Sequence, residues 1–369
     1  MRRALATVDL DCVRDNVASL RQRLSGKCSL MAVVKANGYG HGSVEVARAS
    51  IEAGAISLGV ATAAEAVELR DAGLSSPIVV LGPLTGDEAR IAMDCGAEVT
   101  LWTPSFLKTL VRIDPSAGHE VGVHVKLDSG MRRLGVMPRE LPQLLDMIES
   151  EPGVSLTGLM THFATADEED EAFFDYQLGV FEEATQVVLR TGTRVLYHCA
   201  NSAATIRFPQ SHFDMVRCGI AIYGLSPTQG DAAADGLRPA LSLTSYLADI
   251  KHLSEGDTVG YGRTFTARKT TAIGVIPIGY GDGFNRGLSN LGRVLIGGSS
   301  YPIVGRISMD QITVDLGAQA AVEIGEEVVL AGARGGNAIT IEEIASMLGT
   351  INYEITCNIS SRVERRYTG

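Results

Sequence analysis

The length, composition and charge of the chain limit what the protein can be. Its 369 residues are 45% hydrophobic, which is enough material for the cores of about two domains. The 32 basic and 43 acidic side chains give a net charge of −11, which disfavours nucleic acid or an anionic membrane as a partner. No apolar run reaches the ~18 residues that a membrane crossing needs. Because Asp9 and Asp11 interrupt any signal-peptide core after Met1, we expect a cytoplasmic protein.

The six cysteines are spread over the whole length of the chain. They show no CxxC spacing, and no cysteines and histidines cluster at the spacing of a zinc site. We therefore expect buried, reduced thiols and no metal site.

Eight short apolar segments, each followed by a helical pattern, recur along the first two thirds of the chain. These predicted strands are residues 30–34, 56–60, 77–81, 98–102, 121–127, 156–161, 195–198 and 215–222. Residues 63–72 and 139–149 have the apolar spacing of helices that pack on a sheet. Eight alternations within roughly 200 to 230 residues are typical of a closed parallel barrel. The sequence predicts an α/β fold with an eight-stranded parallel (β/α)8 barrel.

The pattern changes in the last third of the chain. A polar, small-residue stretch at residues 229–236 indicates a loop or linker. Strand patterns then follow at residues 241–250, 258–261, 271–278, 293–296, 303–307, 311–314 and 327–330. One helix is predicted among them, with a capping box at residues 340–343 and Gly349 at its end. We expect a barrel domain over residues 1–239 and a mainly β domain over residues 240–369.

Lys35 follows the first predicted barrel strand, at the start of a glycine-rich turn that carries Tyr39. The carboxyl ends of barrel strands form the reactive face of such a fold. A lysine that is partly desolvated there can lose its proton and form an imine with an aldehyde. On its own, the segment also fits an ordinary lysine at a strand end beside a flexible turn.

Further residues that can bind a ligand lie towards the ends of the last barrel strands. Ser202 and Gly219 supply a hydroxyl and a backbone N–H of the kind that binds phosphate. A phosphate together with an imine-forming lysine indicates pyridoxal phosphate. Its ring nitrogen needs a partner, and the last strand offers Arg217 rather than a carboxylate.

Seven motifs carry a resemblance to the alanine racemase family along essentially the whole chain. They are VVKANGYGHG, KLDSGMRRLG, THFATAD, HCANSAA, VRCGIAIYG, VGYGRTF and GRISMD. The resemblance implies a barrel with a C-terminal β domain, a head-to-tail homodimer with shared active sites, and pyridoxal 5'-phosphate as cofactor. It also implies interconversion of L- and D-alanine by a two-base mechanism, which in bacteria supplies D-alanine for peptidoglycan.

The resemblance assigns roles to individual residues. Lys35 matches the lysine that holds the cofactor and serves as one acid–base group, and Tyr261 matches the second group, which comes from the partner subunit. The cofactor-binding residues are Lys35, Tyr39, His162, Asn201, Ser202, Arg217, Gly219, Ile222 and Tyr353. Arg133, Met309 and Asp310 match substrate-binding residues, Lys126 matches a lysine that is carbamylated in many members, and Asp167, Arg286, Arg306 and Ile351 match the walls of a narrow entrance.

Three alternatives remain beside an alanine racemase. A broader racemase that acts on serine or lysine would share the fold, because pocket width is not readable from sequence. A non-catalytic pyridoxal-phosphate carrier would resemble only the barrel, and would have no use for Tyr261, Met309 and Asp310. A decarboxylase of related fold would be expected to place a carboxylate, not Arg217, at the ring nitrogen.

Overall fold

The computed structural model describes residues 2–113, 120–319 and 321–369. The chain begins with strand β1 (Leu5–Asp9) and helix α1 (Leu10–Gln22). Eight parallel strands follow in one sheet: β2 (Ser29–Val33), β3 (Ser57–Val60), β4 (Ile78–Val80), β5 (Glu98–Leu101), β6 (Val121–Lys126), β7 (Val154–Met160), β8 (Leu196–His198) and β9 (Met215–Cys218).

The eight strands form a nearly closed barrel. Their order in the sheet is β8-β7-β6-β5-β4-β3-β2-β9, so that the first barrel strand pairs with the last. At the seam between β8 and β9, Asp214 N–H donates to the Tyr197 carbonyl (3.1 Å) and Arg217 N–H to the Ala200 carbonyl (2.9 Å). The strands are buried because helices cover the outer face of the sheet, as in other parallel barrels.

Helices connect the barrel strands. They are α2 (Lys35–Tyr39), α3 (Ser43–Glu52), α4 (Ala63–Asp71), α5 (Gly86–Asp94), α6 (Pro104–Arg112), α7 (Leu141–Glu149), α8 (Ala172–Leu189) and α9 (Ser202–Arg207). Local sequence determines where several of them begin: Thr62 and Thr85 open α4 and α5 with capping boxes. Such caps bind free N–H groups of the first turn, each worth about 1 kcal/mol. Within the described residues, none of the helices has the length and apolar character needed to cross a membrane.

The last third of the chain is mainly β. Its strands are β10 (Leu241–Tyr246), β11 (Asp249–Leu253), β12 (Thr258–Val259), β13 (Phe265–Thr266), β14 (Thr271–Ile276), β15 (Arg293–Ile296), β16 (Ser299–Pro302), β17 (Ile312–Gly317), β18 (Glu327–Arg334), β19 (Asn337–Ile339) and β20 (Glu364–Thr368). Helices α10 (Ile341–Leu348) and α11 (Asn352–Cys357) lie between the last two strands. The predicted architecture, a barrel followed by a mainly β region, is confirmed.

Strand β1 lies in a sheet with strands from the other end of the chain. It pairs antiparallel with β10 and parallel with β20. Sequence patterning assigned residues 1–239 to the barrel, but this first strand adds to the β region instead. The pairing also brings the start of the chain against its end.

Four predicted strands differ clearly from the structure. The one predicted over residues 241–250 is two strands in different sheets, β10 and β11. Residues 303–307 form only an isolated bridge between Ile303 and Val314. The predicted strand over residues 215–222 ends at Cys218, because the chain turns at Gly219 into a 3-10 helix over Ile220–Tyr223. The predicted strand over residues 258–261 stops at Val259, so Tyr261 opens a 3-10 helix instead.

The predicted end of α10 is confirmed, since Gly349 has the left-handed conformation (φ 64°). Its predicted capping box is only half formed. Thr340 accepts from the Glu343 N–H, but the Glu343 carboxylate binds Arg293 with contacts of 2.7 and 2.8 Å. An ion pair with a distant arginine therefore replaces the second capping bond.

Candidate active site

Lys35 follows β2 at the carboxyl end of the strand, where the sequence placed it. It opens α2, which is a left-handed turn, with φ of 53° at Ala36, 52° at Asn37 and 50° at Tyr39. Left-handed backbone is costly for residues other than glycine and concentrates at functional sites. Glu65 stabilises the turn, since its Oε1 accepts from the Ala36 N–H at 2.7 Å. The turn is thus an ordered support for Lys35.

The carboxyl ends of the barrel strands surround a cavity of about 370 Å³. Ten predicted site residues line it: Lys35, Tyr39, Lys126, Arg133, His162, Asn201, Ser202, Arg217, Gly219 and Tyr353. They come from many separate segments of the chain, so the barrel brings together groups that are far apart in sequence. Sequence reasoning did not identify seven further lining residues: Val33, Ala36, Leu81, Met160, Thr161, Ile220 and Cys357.

One side of the cavity offers hydroxyl groups for an anion. Ser202 Oγ accepts from the backbone N–H of Gly219 (3.0 Å) and Ala221 (3.4 Å), which leaves its own hydrogen to donate. Tyr39 and Tyr353 stand with ring centroids 5.9 Å apart. Burial raises the pKa of both phenols, so they stay neutral donors. A Cβ on Gly219 would lie 2.5 Å from Tyr39 Oη, so this approach needs glycine.

Two predicted cofactor-binding residues have structural contacts. Asn201 lines the cavity, and its side chain caps α9 by accepting from the Ala204 N–H at 3.0 Å. Ile222 is fully buried in the core, and its N–H donates to the Gly219 carbonyl at 2.9 Å. The chain turns through a 3-10 helix after Gly219, and Ile220 lines the cavity, whereas Ile222, which the resemblance assigned to the phosphate-binding set, does not.

Arg217 is buried and held by backbone carbonyls. Its Nη1 donates to the His198 carbonyl (2.7 Å), and Nη2 donates to the carbonyls of Thr161 (2.7 Å) and Cys199 (3.1 Å). Burial lowers its pKa to about 10, so it remains protonated at neutral pH. Within the described residues, all the hydrogen bonds of its side chain come from Nη1 and Nη2. Its Nε–H is left for a ligand in the cavity.

His162 lies next to this guanidinium, with its Nδ1 at 3.2 Å from Arg217 Nη2. Arginine only donates, so Nδ1 accepts a hydrogen that Nη2 shares with one of the two carbonyls, and the ring proton is on Nε2. Burial and then Arg217 lower the pKa of His162 well below its usual value. His162 is therefore a neutral histidine with one defined donor.

The cavity carries several positive groups close together. Burial, followed by the charge of Arg133, lowers the pKa of Lys35. Burial, followed by Arg217, Arg133 and Lys35, lowers the pKa of Lys126 to about 8. Such a site suits a phosphate and a carboxylate, and it makes an unprotonated, nucleophilic lysine accessible near neutral pH.

Comparisons with known proteins agree with this geometry. Residues 8–227 match the family model described as alanine racemase, N-terminal domain, and residues 240–367 match alanine racemase, C-terminal domain. The curated alanine racemase of Symbiobacterium thermophilum is 43% identical over 100% of this chain and 98% of its own length. That of Geobacillus stearothermophilus is 44% identical over 98% of this chain and 92% of its own length.

Solved structures give the same result. The crystal structure of alanine racemase from Streptomyces lavendulae, a D-cycloserine producer, superposes with a TM-score of 0.96 and 39% identity, covering 100% of this chain and 98% of that one. That of Bacillus anthracis alanine racemase with bound L-Ala-P gives 0.93 and 38%, over 100% and 96%. The chain belongs to the alanine racemase family. The predicted membership in this family of isomerases is thereby confirmed.

Besides Ile222, seven residues that the alanine racemase resemblance assigned to the site lie outside the cavity lining of this single chain. They are Tyr261, Met309, Asp310, Asp167, Arg286, Arg306 and Ile351. Tyr261 is 72% exposed, Met309 52% and Ile351 49%. Arg306 lies beside the Tyr261 turn, because a Cβ on Gly262 would be 2.9 Å from its Nη1. Asp310 binds Arg362 at 2.7 Å.

Proposed function

We propose that this chain is a cytoplasmic, pyridoxal-phosphate-dependent alanine racemase that interconverts L- and D-alanine by a two-base route and supplies D-alanine for peptidoglycan. The observation that carries the proposal is the single cavity that combines Lys35, the hydroxyls around Gly219 and the buried Arg217. We further propose that residues 1–239 and 240–369 act as a cofactor-binding domain and a domain that completes the partner's site.

The residues around the cavity fit pyridoxal phosphate at three points. Ser202, Tyr39 and Tyr353 offer neutral hydroxyl donors to a phosphate, and the missing side chain at Gly219 leaves it room. Lys35 offers an amine with a lowered pKa for covalent attachment. Arg217 offers its unused Nε–H to the ring nitrogen. When bound, this cofactor withdraws electrons from the substrate α-carbon, so that the hydrogen on that carbon becomes acidic.

Racemisation needs proton transfer at two opposite faces of the α-carbon. Lys35 takes or returns the proton on one face, and works on D-alanine. Tyr261 from a second copy of the chain does so on the other face, and works on L-alanine. The exposure of Tyr261 and Met309 supports this arrangement, because a single chain leaves both residues uncovered. The active enzyme is therefore a homodimer with shared sites.

Arg217 limits side reactions. It stays protonated, so it would donate to the ring nitrogen of a bound cofactor, and that nitrogen would carry no proton of its own. The cofactor would then withdraw electrons from the α-carbon less strongly, which would leave less time for a proton to add at the wrong atom. This favours racemisation over transamination.

Arg133 binds the substrate carboxylate, a task that suits its planar guanidinium. Lys126 lies in the same cation cluster, and its pKa of about 8 leaves part of its amine neutral near physiological pH. We propose that this amine adds to carbon dioxide and loses a proton, which forms a carbamate. The negative group orients Arg133. Density for a carbamate at Lys126 in a high-resolution crystal structure would support this step, and a bare ammonium would reject it.

Met309 and Asp310 of a second copy line the substrate pocket, and Asp167, Arg286, Arg306 and Ile351 form a narrow entrance. A narrow entrance favours alanine over larger amino acids. Chiral chromatography with a panel of enantiopure L-amino acids tests the proposal. We expect alanine to be racemised fastest. Faster racemisation of serine or lysine would reject the preference for alanine, and carbon dioxide release without racemisation would indicate a decarboxylase.

A further inference from the structure

A row of polar side chains runs through the barrel interior from Arg217 towards the amino-terminal end of β5. Arg217 Nη1 is 3.1 Å from His198 Nδ1, and His198 Nε2 is 2.8 Å from His124 Nδ1. His124 Nε2 is in turn 2.5 Å from Glu98 Oε2. The row therefore links the guanidinium at the cavity to a carboxylate outside it, through two buried histidines.

Only one arrangement of hydrogens satisfies all three contacts. Arginine donates, so His198 Nδ1 must be a lone pair and its proton must be on Nε2. That proton faces His124 Nδ1, which must also be a lone pair. The proton of His124 is then on Nε2, directed at the Glu98 carboxylate. Both histidines are neutral, and every hydrogen bond in the row points from Arg217 to Glu98.

The row bears on how the positive charge of Arg217 is compensated. In the unmodified chain, the groups that act electrostatically with Arg217 in the cavity are Lys35 and Lys126, together with neutral His162 and the buried thiols of Cys199 and Cys218. Within the described residues, no carboxylate forms an ion pair with Arg217. A buried cation without a compensating group is costly. Among the described residues, the Glu98 carboxylate is connected to Arg217 through the imidazoles of His124 and His198.

Two glycines leave space for this row in the barrel interior. A Cβ on Gly158 of β7 would lie 2.1 Å from His124 Nδ1, and one on Gly122 of β6 would lie 2.9 Å from Glu98 Cγ. Thr157 supports the carboxylate, since its hydroxyl donates to Glu98 Oε2 at 3.0 Å. Burial raises the pKa of Glu98, but the hydrogen bonds that its carboxylate accepts from His124 and Thr157 outweigh burial and lower the pKa below its usual value. Glu98 is thus held as an anion.

We propose that Glu98, acting through His124 and His198, is a positioning residue that partly compensates the charge of Arg217 and so weakens the hydrogen bond that Arg217 donates to the cofactor ring. The proposal rests on the proposed function in its last step only. The direction and tautomers of the row are properties of this chain alone.

The test has two readouts: the tautomers of the two histidines, and the ratio of transamination to racemisation. Nitrogen-15 NMR of the histidine-labelled holoenzyme should show His124 and His198 neutral, with the proton on Nε2. Glu98→Gln keeps the shape but removes the negative charge. We expect the ratio of pyruvate formed by transamination to alanine racemised to rise about threefold or more. Loss of one negative charge linked to Arg217 through two imidazoles changes the electrostatic free energy at Arg217 by an amount that corresponds to roughly a threefold ratio.

Thr100→Val is the matched control, because Thr100 is the register partner of His124 and, among the described residues, its hydroxyl binds the Val80 carbonyl alone. It should leave the ratio unchanged. A proton on Nδ1 of either histidine, or an imidazolium, would overturn the assignment without any variant. An unchanged ratio in Glu98→Gln would overturn the charge effect. Wild-type enzyme that fails to racemise alanine would refute the proposed function and leave the NMR result standing.

Discussion

Gly219 and Tyr39 lie so close together that a Cβ at position 219 would be 2.5 Å from the Tyr39 hydroxyl oxygen. Such a contact forces one of the two to move, and both belong to the surface that we assign to the cofactor phosphate. We expect Gly219→Ala to weaken pyridoxal phosphate binding by about tenfold or more, because a displaced hydrogen-bond donor to a charged group costs about 1.5 kcal/mol or more. Titration of the cofactor by absorbance measures this change.

Gly153→Ala is the control for that substitution, since a Cβ at Gly153 meets nothing within 4 Å. Its cofactor affinity should equal that of the wild type. Equal affinity in Gly219→Ala would show that the phosphate does not bind at this surface.

Lys126 gives stability a defined pH dependence. Its folded pKa is about 8 against an ordinary value of 10.5. Below pH 8 it is charged in both states, and only the folded state bears the cost of burying it. From pH 8 to 10.5 the unfolded chain alone keeps the proton, so this cost disappears and stability rises with pH. In carbon-dioxide-free buffer, Lys126→Met should therefore be more stable than wild type at pH 7, by at most about 3 kcal/mol.

Denaturant unfolding at several pH values measures this difference. It should shrink between pH 8 and 10.5, whereas Lys108→Met, at an exposed lysine, should show no such trend. A stability difference that stays constant over this window would mean that the pKa of Lys126 is not lowered.

Tyr261 tests the second acid–base group. Tyr261→Phe removes the phenolic hydrogen but little volume, and its side chain is 72% exposed in the single chain. We expect the cofactor to bind normally and racemisation to fall by about 10²-fold or more, the usual contribution of one general acid–base group. Tyr176→Phe, at another exposed tyrosine, should leave the rate unchanged. A fully active Tyr261→Phe enzyme would remove Tyr261 from the mechanism.

Mixing two inactive variants tests whether sites are shared. Lys35→Ala and Tyr261→Phe each damage every site of their own homodimer. If a site takes Lys35 from one chain and Tyr261 from the other, a mixed dimer contains one intact site. Random re-association should restore about one quarter of the wild-type activity, because half the dimers are mixed and each has one of two sites intact. No recovery in dimers shown by mass to be mixed would place both groups on one chain.

Much of the fold followed from the sequence because its signals are local and repeated. Alternating strand and helix patterns predicted the barrel, and polar residues at or near the carboxyl ends of the strands, such as Ser202 and Arg217, lie on one cavity as expected. These features depend on position along a strand, which periodicity reports directly.

Features that depend on distant contacts were not predictable. Strand β1 pairs with β10 and β20, and no pattern within β1 indicates those partners. Ile220 rather than Ile222 lines the cavity, in a 3-10 turn that has no distinctive sequence signal. The left-handed backbone at Ala36 and Tyr39 contradicts local preference and exists because surrounding groups such as Glu65 hold it.

The most direct test of the two-base claim is mass spectrometry of alanine after the first turnovers in deuterium oxide, with each pure enantiomer as substrate. Because one group removes the α-hydrogen and another, equilibrated with solvent, supplies its replacement, product alanine should carry deuterium from the start while unreacted substrate keeps its hydrogen. Product that retains the hydrogen of the substrate would indicate a single base. Enantiomers that never interconvert would contradict the whole assignment.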